Sequence, residues 1–456
     1  MTTFQPDGMN RRSNGEEFLG QDTRQSRFLI SGILIGVCAV GILALGESRY
    51  RMPLFFVLFG LWMVFYLAAV WRCTGASLKT VVLFGLLFRV ILVFSAPGLS
   101  DDVYRYLWDG RVQAWGINPY VYPPASEALA DLKDDEVFSQ VNHPGVPTIY
   151  PPLAQMFFHI CYLIHPSIWT IKIGLALFDL LTAWFLLGLI RLYDQHPGQL
   201  LIYLWHPLLL VEVAGNGHVD ALGVSFMVIA FLYLQVGGYA RAFAALALSF
   251  LSKFFAICLV PVFLRWICGR ISRRTEGRLP ACFRPQAVWP VLIFTATIAA
   301  GYLPYLEAGE ALFTGFLTYA EHWSFNAPAF DILSYVLGNP QWARTVIAVA
   351  FAMAVILVTF NRMPPIQAGF FLVGAFLLLT PTLHPWYAIW MVPFMVFYRQ
   401  PAWLVFTGLI AISYHVLIRY AREGIWEEAV WVKAVLFGGF ALVWAFEWIK
   451  KRRAET

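Results

Sequence analysis

The apolar residues of this chain do not alternate, nor do they recur at the spacing of a half-buried helix. They come in unbroken blocks at about 28–46, 53–71, 80–97, 168–190, 199–213, 219–236, 288–305, 343–360, 366–383, 386–398, 401–419 and 428–449. Roughly 20 apolar residues span the hydrocarbon core of a bilayer as a helix. Backbone polar groups in lipid must be satisfied within the segment, so the blocks predict membrane helices. The ten-residue alternation of an outer-membrane barrel is absent. Segment 242–267 reads either as one helix or as two short ones broken near Ser252–Lys253.

Charge arbitrates between these. Arg11, Arg12, Arg24 and Arg27 precede the first block, Arg265, Arg270, Arg273, Arg274 and Arg278 form a second cluster, and Lys450, Lys451, Arg452 and Arg453 a third. Positive charge marks the cytoplasmic side. All three clusters fall on one side only with fourteen crossings, so the broken pair is the expected arrangement, with both termini cytoplasmic. A lysine at the turn also keeps its charge from the middle of the bilayer. A rival count makes 150–165 a full span and keeps 242–267 single. The predicted fold class is an all-α polytopic transmembrane helical bundle of about 12–14 spans over 28–449, between a disordered tail at 1–27 and a basic tail at 450–456. Two segments, 98–166 and 307–342, are too long for simple connectors. Their Trp, Tyr, Pro and His content argues against disorder, and both are expected outside, carrying short helices.

Composition agrees: 59% of the 456 residues are hydrophobic and 13% charged, too little polar surface for a soluble protein of this size. The net charge of +5 sits beside the spans and does not suggest nucleic acid. The six cysteines, Cys38, Cys73, Cys161, Cys258, Cys268 and Cys282, avoid the loops placed outside, so no disulfide is expected. The first 27 residues hold no short apolar core of a cleavable signal.

Chemistry-bearing residues cluster in the loops. SDDVYRYLWDGR places Asp101 and Asp102 directly after the third block, and a helix beginning there aligns Asp102, Arg105 and Asp109 on one face. Carboxylates at that position can take a proton from a hydroxyl or hold a divalent cation, Mg or Mn. The plain alternative is a helix cap at Asp101 and a surface ion pair between Arg105 and Asp109. VNHPGVPTIYPPLAQ offers His143, with Pro151 and Pro152 opening a helix along the membrane surface. GNGHVDAL gathers Asn216, His218 and Asp220 between two spans. Lys253 lies in SFLSKFFAICLVP with no nearby acid in sequence, and a lipid phosphate fits as its anionic partner. YAEHWSFNAPAFD adds His322, and LHPWY adds His384, Trp386 and Tyr387, aromatics that an interfacial belt also favours.

Taken together, SDDVYRYLWDGR, GINPY, HPGVPTIYPPLAQ, GNGHVDAL and HPWY resemble bacterial members of the GT-C superfamily of membrane glycosyltransferases. The chain is most similar to the polyprenol-phosphate-mannose-dependent mannosyltransferases, from about Ile30 to the C-terminus. The resemblance implies a hexose, mannose above all, moved from a polyprenyl-phosphate donor to a glycan or lipid acceptor on the extracytoplasmic side. Carried over, Asp101 or Asp102 is the base or a metal-associated carboxylate, Lys253 contacts the donor phosphate, and His384 the donor head group. With no further domain expected after Thr456, acceptor recognition falls to the two long loops. A secondary transporter or a lipid flippase is the alternative; the transporter predicts internal repeats, and no convincing one is found between the halves.

Overall fold

The computed structural model describes residues 10–274 and 280–455. The described chain is helical throughout, and its one β-like contact is an isolated parallel pairing of Phe325 with Thr382. Among the described residues, seven helices are long and apolar enough to cross a membrane: Ser48–Val70, Ile168–Leu192, Phe254–Arg273, Pro285–Ala308, Pro340–Phe360, Pro401–Glu423 and Val430–Ala454. Apart from the first, which lies on a longer helix, the remaining apolar blocks fall on shorter or broken elements. Block 199–213 is the bent pair Pro197–Leu204 and Pro207–Gly215, turned by 57°. His206, before Pro207, is held out of the α region at ψ 118°. Block 386–398 becomes a 3-10 turn, Pro385–Met391, followed by Val392–Met395.

The first helix, α1 (Asn10–Ala44), starts inside the stretch expected to be a disordered tail. Its Glu, Gln and Arg residues are good helix formers, so the backbone runs on from the apolar block; residues 1–9 lie outside the described residues. After α2 (Met52–Val70) and α3 (Leu78–Val93), the chain enters the first long loop through α4 (Asp102–Ala114). That loop closes with α5 (Pro152–Ile164), which leads to α6 (Ile168–Leu192). As anticipated, proline opens α5, and the helix ends before His165. The second long loop is ordered as well, by the helices Ala311–His322 and Pro328–Leu337. The two loops meet where Gly315 passes Thr148: a Cβ on Gly315 would stand 2.4 Å from the Thr148 carbonyl oxygen.

The break at Lys253 is present. A helix ends at Ser252, Lys253 is extended at φ −158°, and a 3-10 turn, Phe254–Leu259, leads into Val260–Arg274. One expectation fails: Cys268 and Cys282 are joined by a disulfide, with Cα atoms 5.1 Å apart. The turn Ala281–Phe283 folds back against the helix that carries Cys268, a proximity that an argument from compartment alone does not contain.

Candidate active site

The segment between α3 and α4 is fixed from three sides. Lys172 of α6, fully buried, donates to the carbonyls of Ser95 at 2.5 Å and Leu92 at 3.4 Å, closing the C-terminal end of α3. The Asn216 side chain accepts from the Leu99 N–H at 3.1 Å and donates to the Val211 carbonyl at 2.9 Å. Arg49 donates to the Pro97 carbonyl at 3.4 Å. Asn216 therefore braces backbone with its carbonyl oxygen and one of its two amide N–H groups. Its neighbour Gly217 sits at φ +77°, where a Cβ would come within 3.0 Å of Lys172 Cγ.

This brace separates the two adjacent aspartates. Asp101 receives both Arg49 nitrogens, at 2.5 and 3.2 Å. Asp102, the first residue of α4, takes its bond from Asn142 Nδ2 at 2.8 Å. Burial pushes the Asp102 carboxyl above its usual range. Asn142 and then Lys253 pull it down, and Asp101 and Asp220 push it up. Asp102 and Asp220 are thus close enough to Lys253 to share its field, whereas Asp101 is engaged by arginine.

Arg105 and Asp109 form the helix-spaced pair, 2.9 Å apart, but deep in the protein. Asp109 also accepts from Thr148 at 2.6 Å and Gln155 at 2.8 Å, and Arg105 reaches the Val146 carbonyl at 3.1 Å. The bonds to Thr148, Gln155 and Val146 tie α4 to the 146–155 stretch, so both residues hold the loop's shape and neither lines the cavity described below. The surface-pair alternative is corrected in the same way, since buried charges need such partners.

Lys253 has the acid it lacked in sequence. Its ammonium stands 3.0 Å from Asp220 Oδ2 and lies over the Tyr387 ring at 5.0 Å. Asp220 Oδ1 accepts from Trp390 Nε1 at 2.8 Å. The Tyr387 hydroxyl meets that of Tyr319 at 2.6 Å. Beside this cluster the rings of His218, Trp386 and His384 are stacked, at 3.9 Å and 4.3 Å between neighbours, and His384 also stacks on Phe325. Phe325 is positioned by its backbone bonds to Pro381 and Leu383. Burial, followed by Lys253 and His143, lowers His384 to about 3. Burial, Lys253 and His384 take His218 well below its ordinary value. Both rings are neutral at physiological pH, so neither adds a second cation beside Lys253. His218 faces Glu212 at 3.3 Å, and Glu212 accepts two contacts from the Tyr414 hydroxyl, at 2.8 and 2.9 Å. Glu212 is placed there by the π-turn Val211–Gly215, a widening of the helix common at functional sites.

His143, at φ +46°, packs edge-on against Trp323 at 4.8 Å. Burial lowers its pKa, partly offset by Asp102. His322 does not join the cluster: it is exposed, and its ring meets the Thr318 carbonyl of its own helix.

The Lys253–Asp220 pair borders a cavity of about 510 Å³. Its walls are mostly apolar, including Phe254, Phe255, Phe316, Ile347, Phe351 and Phe376. Tyr150, Tyr319, Tyr387, Trp390 and Arg344 join Lys253 and Asp220 in lining it. The arrangement suits a ligand with a long apolar part and one anionic group. Arg344, Asn142, Tyr319 and Trp390 were not singled out from sequence. A lone arginine near the start of an apolar span was the available signal for Arg344. A divalent cation fits these residues poorly. Asp101 is occupied by Arg49, and the described residues contain no group of three or more His, Cys, Asp or Glu side chains able to hold a metal.

A family model described as "Alpha-(1->6)-mannopyranosyltransferase, N-terminal domain" matches residues 36–270. Two proteins named alpha-(1->6)-mannopyranosyltransferase A align with the chain. That of Mycobacterium tuberculosis is 26% identical over 232 residues, 50% of this chain and 43% of the relative. That of Corynebacterium glutamicum is 23% identical over 241 residues, 46% of this chain and 47% of the relative. The chain thus covers less than half the length of these relatives. The matched region holds Asp101, Asp102, Asp220 and Lys253, while Arg344, His384, Trp386 and Tyr387 lie beyond it.

Proposed function

Because the chain belongs to the alpha-(1->6)-mannopyranosyltransferase family, we propose that it transfers a mannosyl residue from a polyprenyl monophosphate to a hydroxyl of a glycan or lipid acceptor. The observation that carries this reading is the cavity of about 510 Å³, apolar along most of its wall and bordered by Lys253 and Asp220, with Asp102 near enough to share their field. The prenyl chain occupies the apolar part, between residues of two membrane helices, Phe254–Arg273 and Pro340–Phe360. The phosphate lies at the charged border.

Transfer then proceeds by direct displacement. The acceptor oxygen forms a bond to the anomeric carbon as the bond from that carbon to the phosphate oxygen breaks. The acceptor proton passes to Asp102, and the electron pair leaves on the polyprenyl phosphate. Cationic and hydroxyl groups at the cavity stabilise the charge growing there. Asp102 is the better base of the two aspartates, because its raised pKa favours taking a proton and Asp101 is held by Arg49. His384, Trp386 and Tyr387 shape the sugar-side wall. The basic clusters support an extracytoplasmic reaction with both termini cytoplasmic.

The test is purified protein given polyprenyl-phosphate mannose, the glucose analogue and a panel of mannoside acceptors. Mannosyl transfer with release of polyprenyl phosphate is the expected result. Absence of transfer, with uptake or lipid movement in proteoliposomes instead, overturns the reading.

A further inference from the structure

We propose that Arg344 is the cation that grips the phosphate of the lipid donor, an inference that rests on the donor-binding reading of the cavity. Lys253 is the obvious candidate, but its charge is already met by Asp220 at 3.0 Å. As a unit the pair is neutral, and Trp390 holds the carboxylate in place. A phosphodiester entering the cavity brings a negative charge that this pair does not balance. An anion taken out of water needs a compensating partner.

Arg344 lines the same cavity, in the second turn of Pro340–Phe360. Its Nη2 donates to the Trp323 carbonyl at 2.8 Å, and its guanidinium lies over the Phe330 ring at 4.7 Å. These contacts fix the group without neutralising it. Among the described residues it forms no ion pair; Glu321 acts on it only from a distance. Its Nε is buried without a hydrogen-bond partner among those residues. A planar guanidinium with donors to spare matches phosphate oxygens better than an ammonium does. The neutral His384 ring supplies no competing charge. Lys253 and Asp220 then serve as a polar border whose balance shifts only when charge grows on the leaving phosphate.

The experiment compares binding of geranylgeranyl phosphate and geranylgeraniol to the purified full chain in detergent, at low and high salt. Wild type is expected to prefer the phosphate by about tenfold or more, as a charge-assisted contact would give. Arg344→Gln should lose that preference while binding the alcohol as wild type does, and Arg344→Lys should recover part of it. Retention of the full preference by Arg344→Gln overturns the proposal. Equal weakening of both ligands does so too, since it marks a structural role through Trp323. Failure of wild type itself to prefer the phosphate removes the donor reading, and the proposal with it.

Discussion

Asp220 Oδ2 lies 3.0 Å from Lys253 Nζ, although 32 residues and most of two helices separate them in sequence. Asp220 is 1% exposed and the lysine side chain 23%, so the two ends of the pair differ. Lys253→Met strands a buried carboxylate on a single indole and should cost about 3 kcal/mol of stability. Asp220→Asn leaves a lysine with some access to water and should cost nearer 1 kcal/mol. Thermal unfolding of both variants and the double variant in detergent checks the order. Equal losses would show that the desolvation asymmetry is not felt.

The pKa of Asp102 sets a second expectation. Its carboxyl is raised mainly by burial, so as a base it is lost when pH falls through a value above the usual carboxylate one. Transfer should therefore decline on the acid side with a midpoint above the ordinary carboxylate value. The stability sign runs the other way. A raised native pKa favours the folded state below the unfolded pKa, and that advantage is lost as pH rises through the native value. Asp102→Asn should thus be inactive yet at least as stable as wild type at neutral pH, with the difference vanishing in acid. Unfolding curves across pH test this.

Lys172 touches no part of the cavity but closes α3 and fixes the segment before Asp101. Lys172→Met takes the donor from the Ser95 carbonyl, while Leu92 keeps its bonds from Ser95, and should cost about 1–3 kcal/mol. It should lower kcat more than it changes donor KM, because it shifts the base and leaves the lipid site intact. Gly217→Ala should act in the same direction, through strain at φ +77° and contact with Lys172 and Val103. A change confined to donor KM would contradict this positioning role.

The readable parts of the sequence were those with local causes. The break at Lys253 follows from one charge in an apolar run, and the start of α4 at Asp102 from acids after a membrane block. The order of the long loops followed from their aromatics and prolines. Spatial partnerships were not readable. Nothing local pairs Lys253 with Asp220, Asp101 with Arg49, or Asp109 with Gln155, since each bond crosses elements brought together only by packing. The brace at Asn216 was hidden too, because its partners are backbone groups, which no sequence displays. The span pattern was legible as apolar blocks but not as helix lengths, because His206–Pro207 and the prolines of 385–393 break blocks that hydropathy alone joins.

The central claim, that Asp102 and not Asp101 removes the acceptor proton, is met most directly by one comparison. Single-turnover transfer from polyprenyl-phosphate mannose is measured for Asp101→Asn and Asp102→Asn, each shown folded by its unfolding curve. The account predicts a loss of at least about 100-fold for Asp102→Asn, the scale of general-base catalysis, and a much smaller loss for Asp101→Asn. Wild-type turnover by Asp102→Asn, or the larger loss in Asp101→Asn, would contradict it.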